Sequence, residues 1–327
     1  MRKYNIPIFI PHEGCGHDCV FCSQKKITGV QSSVTPNMAY DRIKQYLDTA
    51  ADEDAEIEIA YFGGSFTGLS LELQKQFLEA ANSFDDSRIT GIRLSTRPDY
   101  ISGEVLELCG KNRVKTIELG VQSACDDVLC ANRRGHKFSD VKRASVMIKD
   151  AGIDLGLQMM VGMYGSDKDK DIFTCEQIIA LKPRCTRIYP TLVLSGTMLE
   201  ELWRHGDYEP YSLDKAVEVS KQCLLLFRAH GIDVIRIGLY PGEDLRSDGN
   251  IAAGPFHSAF GELVENSIYR DKIEGEIIAA GLRDCVYEIE APPSEVSKII
   301  GQRGCNKKYF SEKYGVRLRV REIKGNA

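Results

Sequence analysis

The chain predicts an α/β fold: a partial (β/α)6-type barrel of parallel strands over residues 1–260, with a small α+β module over residues 261–327. Two observations carry this. Short β-rich runs alternate with amphipathic helical patterns through the first 240 residues, the pattern of parallel strands joined by helical crossovers. Beyond residue 240 the rhythm breaks, and a different order follows: strand, helix, Gly-x-x-Gly, helix, strand.

In order, the strand-like runs are NIPIFI, EIEIAYF (56–62), TGIRLST (90–96), VKTIELG (114–120), GIDLGLQMMVG (152–162), TRIYPTLV (186–193) and IDVIRIGL (232–239). Helical periodicity falls on MAYDRIKQYLDTA (38–50), LELQKQFLEAANSF (71–84), SDVKRASVMIKDAG (139–152) and SLDKAVEVSKQCLLLFRAHG (212–231). The Gly-, Pro- and Asp-rich stretch YPGEDLRSDGNIAAGPFHSAFG reads as a long ordered loop that ends the first domain. No internal repeat or low-complexity tract interrupts the chain.

With 43% apolar and 27% charged residues, the 327-residue chain has a globular composition. The early apolar run IPIFI is too short for a signal-peptide core, and nothing approaches the ~18 apolar residues of a spanning helix. A cytoplasmic protein without membrane contact is expected. Eleven cysteines, an odd count in a long chain without export signals, read as thiols rather than a disulfide framework. Those at 109, 125, 130, 175, 185, 223, 285 and 305 form no C-x-x-C pair and read as core or surface thiols.

The net charge of −5 is unevenly spread. Residues 292–327 hold nine Lys/Arg against three Glu, a net +6, which leaves −11 on the rest. A basic tail on an acidic body points to a polyanionic partner.

The remaining cysteines, Cys15, Cys19 and Cys22, lie in GCGHDCVFCSQKKITG directly after the first strand. Structural zinc wants four ligands, and His12 or His17 would complete a Cys3His set. Three thiolates on one loop suit instead a cubane [4Fe–4S] cluster with one iron left open. The C-x3-C-x2-C spacing, with Phe21 before the last cysteine, resembles the cluster motif of the radical S-adenosylmethionine superfamily, whose fold is a partial TIM-like barrel. The resemblance implies that the amine and carboxylate of S-adenosylmethionine chelate the open iron. One electron then releases a 5′-deoxyadenosyl radical, chemistry that belongs to the cofactor while the protein positions and shields it.

Further motifs carry the same resemblance. Gly63-Gly64-Ser65 after the second strand resembles the glycine-glycine segment that approaches the methionine amine, with Ser65 where most members carry an acid. RLSTRPDYI, ELGVQSACDDVLCANRRGHKFSDV and LQMMVGMYG resemble the elongator catalytic subunit and the oxygen-independent coproporphyrinogen oxidases. By that resemblance Ser95, Gln122, Arg134 and Gln158 contact the cofactor's carboxylate and ribose. All sit at predicted C-terminal strand ends, where parallel barrels keep their active sites. His257, in GPFHSAFG, is a candidate for facing the substrate. The stretch 195–227 again resembles the elongator subunit, but only about 60 residues follow the barrel, so acetyl-CoA-dependent carboxymethylation within one chain is not expected.

Residues 283–322 resemble the core of a KH domain, with Gly301, Gln302, Arg303 and Gly304 as the loop that clamps nucleic-acid backbone and Lys307 and Lys308 adding charge. The expected function is a radical S-adenosylmethionine enzyme acting on RNA, most readily tRNA, with a ferredoxin- or flavodoxin-type electron donor. The alternatives are an anaerobic tetrapyrrole or other small-molecule oxidase, and a non-enzymatic zinc-containing RNA-binding protein.

Overall fold

A computed structural model describes residues 3–10, 15–16, 18–23, 34–239 and 249–323. Seven parallel strands form one curled sheet, an open half-barrel. They are β1 (Lys3–Ile10), β2 (Glu56–Gly63), β3 (Ile89–Thr96), β4 (Val114–Gln122), β5 (Asp154–Val161), β6 (Cys185–Pro190) and β8 (Asp233–Ile237), paired in that order. All the strands therefore end at the same edge. The run 186–193 is not one strand: the chain leaves the sheet after Pro190, which has no amide to donate to a ladder, and Val193–Leu194 (β7) pairs antiparallel with Ile251–Ala253 (β9).

Alternation along the strands decides which residues face the helices. Ile6, Ile8 and Ile10 of β1, Ile57, Ile59 and Tyr61 of β2, and Ile117, Leu119 and Val121 of β4 are all buried in the main core. Against them pack α1 (Pro36–Thr49), α2 (Leu71–Asn82), α3 (Gly103–Lys111), α5 (Phe138–Asp150), α6 (Lys168–Ala180) and α8 (Leu213–Ala229), while the short α4 (Asp126–Ala131) lies in the β4–α5 connection. Several of these helices begin on a side chain that accepts a first-turn amide: Thr35, Ser70, Ser102, Asp167 and Ser212.

The alternate residues line the concave face. Closed barrels fill this space with branched apolar layers. Here it holds an ionic lattice in which Arg93 bridges Glu58 (2.9 Å) and Glu118 (2.8 Å), and Arg187 also grips Glu118 (2.9 Å). Gly156 makes room, since a Cβ there would lie 2.7 Å from the Glu118 side chain. Burial alone would push Glu118 up, but Arg187 and Arg93 outweigh it and hold the carboxyl below its ordinary range.

Helix α9 (Phe260–Ala279) links two cores. Its first residue packs on Gly238 at the C-terminal end of β8, and Phe260 and Val264 belong to the barrel core. Ile273 and Ile277 instead join a second core with Ala291, Ile299, Phe310, Val316 and Leu318. That core underlies β10 (Val286–Ala291), α10 (Pro293–Ile300), a single 3-10 turn at Gln302–Gly304, α11 (Cys305–Tyr314) and β11 (Arg317–Glu322), with β10 and β11 parallel. The order matches the sequence expectation for 283–322.

The buried Asn306 amide donates to the carbonyls of Asn266 (3.0 Å), Lys298 and Ile299 (both 3.2 Å), tying the module to α9. Glu274 of α9 accepts from Tyr309 (2.7 Å), Lys313 (2.8 Å) and Tyr314 (2.5 Å). Burial opposes its ionisation, but these donors prevail and hold the carboxyl at about 2. A depressed acid stabilises the fold fully above its unfolded pKa and loses that contribution as pH falls through the folded one. Module stability should therefore decline between about pH 4.5 and 2, and Glu274→Gln should flatten that decline in urea titrations followed by tyrosine fluorescence.

Candidate active site

The cysteine loop leaves the sheet after Ile10. Cys19 is buried, and Cys15 and Cys22 are half-buried. Bonds that hold the loop include the Gly16 amide to the Tyr100 hydroxyl (3.2 Å), the Val20 amide to the Asn132 carbonyl (3.2 Å), and the Leu199 amide to the Val20 carbonyl (2.8 Å). Val20 and Phe21 also pack against Val193, Leu199 and Tyr208, so β7 and α7 (Met198–His205) form a lid over this part of the sheet edge.

Burial, followed by Cys19, pushes the Cys22 thiol up to about 12, with Arg134 pulling the other way and Cys15 adding to the rise. The three sulfurs thus feel one another, although no three Cys, His, Asp or Glu side chains among the described residues already enclose an ion. His12 and His17 lie outside the described residues. The donor set fits an iron–sulfur cluster: three thiols on one loop, with the Arg134 guanidinium 3.4 Å from Cys19 Sγ.

At the end of β2 the left-handed Gly63 (φ +104°) lies so close to β1 that a Cβ would come within 3.0 Å of the Ile10 carbonyl oxygen. The Gly64 amide donates to the same oxygen at 2.6 Å. Ser65 is buried, and its hydroxyl meets Thr96 Oγ1 (2.8 Å) and accepts from the Arg97 amide (3.1 Å). Ser65 therefore laces β2 to β3.

The other predicted contacts do come together. Gln158 of β5 donates to Gln122 of β4 at 2.9 Å. Gln122 adopts φ +66°, and both its amide and the Arg134 guanidinium occupy the space a Cβ at Gly120 would fill. Arg134 reaches Cys19 Sγ and the Gly120 carbonyl (2.9 Å), while its Nε is buried without a partner among the described residues. Ser95, half-buried on the concave face of β3, pairs with Glu118 in the ladder, and its hydroxyl makes no hydrogen bond among the described residues. His257 stands apart, its Nδ1 accepting from the Ala259 amide at the start of α9.

Sequence reasoning missed Arg97 and His136. Arg97 is 2% exposed, pairs with Asp99 (2.9 Å) and donates to the Arg134 carbonyl (2.7 Å). Both ring nitrogens of the buried His136 lack partners among the described residues, and burial, Arg134 and Arg97 push its pKa down to about 3. Gly120 was the one available signal, because a glycine inside a strand marks a close approach. A cleft of about 620 Å³, lined in part by Cys15, Gly16, Thr67, Gln74 and Tyr100, reaches the cysteine loop from the side of α2 and α3.

At the other end of the chain the GxxG loop is exposed at Arg303 (φ +52°) and precedes α11. Helix α11 has Gly304 at its N-cap, no side-chain cap and no acid in its first turn. Lys298, Arg303 and Lys307 surround the loop with no acidic partner among the described residues. Arg319 and Arg321, by contrast, are paired with Glu288, and Lys308 only loosely with Glu312 (3.7 Å).

A family model for the Radical SAM superfamily matches residues 9–175. The chain belongs to that superfamily. A Radical_SAM C-terminal domain matches residues 183–270. This radical SAM enzyme is 28% identical over 255 residues to the tRNA uridine(34) acetyltransferase of Methanocaldococcus jannaschii, covering 65% of this chain and 47% of that one. The solved structure of Elp3 from the archaeon Methanocaldococcus infernus, with residues 1–46 deleted, aligns over 83% of this chain and 63% of its own with a TM-score of 0.63 and 25% identity. Coproporphyrinogen III oxidase (HemN) from Escherichia coli shares the fold, at 14% identity and a TM-score of 0.51 over 70% of this chain and 52% of that one. The chain thus spans about half the length of the curated relative named here.

The family's cofactors are a [4Fe–4S] cluster and S-adenosylmethionine, which supply the reducing electron and the radical source when bound. Family membership sets aside the structural-zinc reading of Cys15, Cys19 and Cys22. The residues that would hold and shield these cofactors are three thiols at the loop, a buried guanidinium behind Cys19, and the Gln122–Gln158 pair facing the concave side.

No described helix is long and apolar enough to cross a membrane. Cys19→Ala should abolish iron retention and brown colour after anaerobic reconstitution while far-UV circular dichroism stays native, because the loop is held to the barrel at Tyr100, Asn132 and Leu199 independently of the sulfur. Native iron content in that variant would remove Cys19 as a ligand. Ser65→Ala should cost about 1–3 kcal/mol by leaving Thr96 and the Arg97 amide short of a buried partner, as urea unfolding would register.

Proposed function

We propose that this protein modifies RNA, specifically tRNA, in the cytoplasm, using the 5′-deoxyadenosyl radical on the barrel and residues 261–327 as the grip on its substrate. The observation that carries the reading is the placement of unpaired charge. Lys298, Arg303 and Lys307 gather at one uncapped helix N-terminus, where outward amides and a positive dipole end suit phosphate. That site rides on α9, whose first residue docks at the C-terminal end of β8, on the strand edge where the cysteines also lie. Asn266, which Asn306 ties to the GxxG side, is six residues further along, about 9 Å of helix.

Gly63, Gly64, Ser95, Gln122 and Gln158 then line the S-adenosylmethionine site, with Arg134 offering its unpartnered Nε. The relatives named for tRNA uridine chemistry support tRNA as the substrate. A tetrapyrrole substrate would leave the basic loop without a role. Reduction calls for a small low-potential donor of the ferredoxin or flavodoxin type.

Arg303→Glu combined with Lys307→Glu should lower tRNA affinity at least tenfold in filter binding at fixed salt and reduce the salt dependence, since each lost phosphate contact removes counterion release. Unchanged affinity in the doubly reversed variant would count against the module as the grip.

A further inference from the structure

Arg134 was read from sequence among the contacts to the cofactor's carboxylate and ribose, and the structure already commits two of its five N–H donors within the protein. Nη1 donates to Cys19 Sγ and Nη2 to the Gly120 carbonyl, which leaves Nε and one hydrogen on each Nη for an anion. The side chain is 7% exposed, and no carboxylate among the described residues pairs with it. Arg97, the nearby cation, already has Asp99. An unpaired buried guanidinium is costly unless an anion stands against it, and among the described residues the group placed to serve is the sulfur of Cys19.

The surroundings build this contact in. The chain is left-handed at Arg133 (φ +50°) and again at Gly135 (φ +76°), which turns Arg134 inward between them. Its amide is held by the Leu129 carbonyl (2.9 Å) and its carbonyl by Arg97 (2.7 Å). Gly120 leaves the space for the fork: a Cβ there would lie 2.7 Å from Nη2. His136, neutral beside it, adds no competing charge.

We propose that Arg134 is the charge partner of the Cys19 thiolate and sets the reduction potential of the cluster bound there, a role beyond the contact to S-adenosylmethionine that the sequence motif implies. A positive charge and an N–H donor at a ligating sulfur favour the reduced, more negative cluster, so the native residue raises the potential. The inference rests on the radical SAM reading of the three cysteines but not on the RNA substrate.

The test is an electron paramagnetic resonance redox titration of the reconstituted protein without S-adenosylmethionine, on the native chain, Arg134→Gln, Arg134→Lys and Gly120→Ala, with iron and sulfide quantified in each. The expected result is a fall in midpoint potential of at least 59 mV in Arg134→Gln, a tenfold change for one electron. Arg134→Lys should fall less, and Gly120→Ala, which displaces the fork, should move in the same direction as Arg134→Gln. Cluster retained in Arg134→Lys but lost in Arg134→Gln would equally support a charge requirement.

An unchanged potential in Arg134→Gln with full iron content overturns the proposal. So does loss of cluster from both Arg134 variants, which would make the residue a packing element. Should the native protein itself assemble no cluster, the radical SAM reading of the cysteines fails instead, so the two failures are told apart.

Discussion

The Ile10 carbonyl takes the Gly64 amide at 2.6 Å, and the site is assembled outward from that bond. It closes β2 onto β1 at the point where the cysteine loop departs. It needs the left-handed Gly63, because any side chain there would strike the same carbonyl. Once the edge is closed, Ser65 falls against Thr96 and the Arg97 amide, which sets the end of β3. Arg97 in turn holds the Arg134 carbonyl, and Arg134 reaches back to Cys19. A ring of contacts therefore returns to the loop where it started, joining the ends of β1, β2, β3 and β4 through side chains that the parallel sheet alone would leave uncorrelated.

The open half-barrel explains why this ring is polar. A closed barrel excludes water from its interior with apolar layers. In this sheet β1 and β8 are edge strands that do not pair, and the concave face carries Glu58, Arg93, Glu118 and Arg187 instead. Such a lattice is tolerable because every charge in it has a hydrogen-bonded opposite, and removing one member would strand the rest. Arg134 is the exception on the same face of the molecule, a buried cation whose partner is a sulfur. The contrast between a neutralised interior and a guanidinium beside Cys19 that meets no carboxylate among the described residues is what makes that residue electrostatically distinctive.

Much of the fold was legible because strand alternation is strict: Ile6, Ile8 and Ile10, or Ile57 and Ile59, announce both a strand and its buried face. The cysteine spacing and the Gly63-Gly64 turn were legible for the same reason, since local sequence fixes local geometry there. Helix α6 was not. Its buried face carries Asp171, Thr174, Cys175 and Ile178, so polar residues sit where periodicity looks for apolar ones. Asp171 is inward because it receives the Gly162 amide (2.9 Å), Ser166 (2.7 Å) and Tyr211 (3.0 Å), all beyond the reach of a sequence window. Arg97, and the bonds that Ser65 makes to Thr96 and Arg97, escaped similarly: the partners are more than thirty residues away in the chain, and only the sheet brings them together.

Helix α9 gives the two cores a fixed relation. A flexible linker would let the basic module sample many orientations, and a bound strand would then reach the barrel only as a matter of effective concentration. Here one continuous helix contributes Phe260 and Val264 to the barrel core and Ile273 and Ile277 to the module core, and Lys221–Asp271 and Arg228–Glu265 pin it along α8. Turning the module relative to the barrel would require breaking a packed helix rather than rotating a hinge. The sequence carried this in a form that composition could not display, because the charge step near residue 292 marks where the surface changes sign, whereas the structural joint lies within a helix that begins at Phe260 and serves both sides.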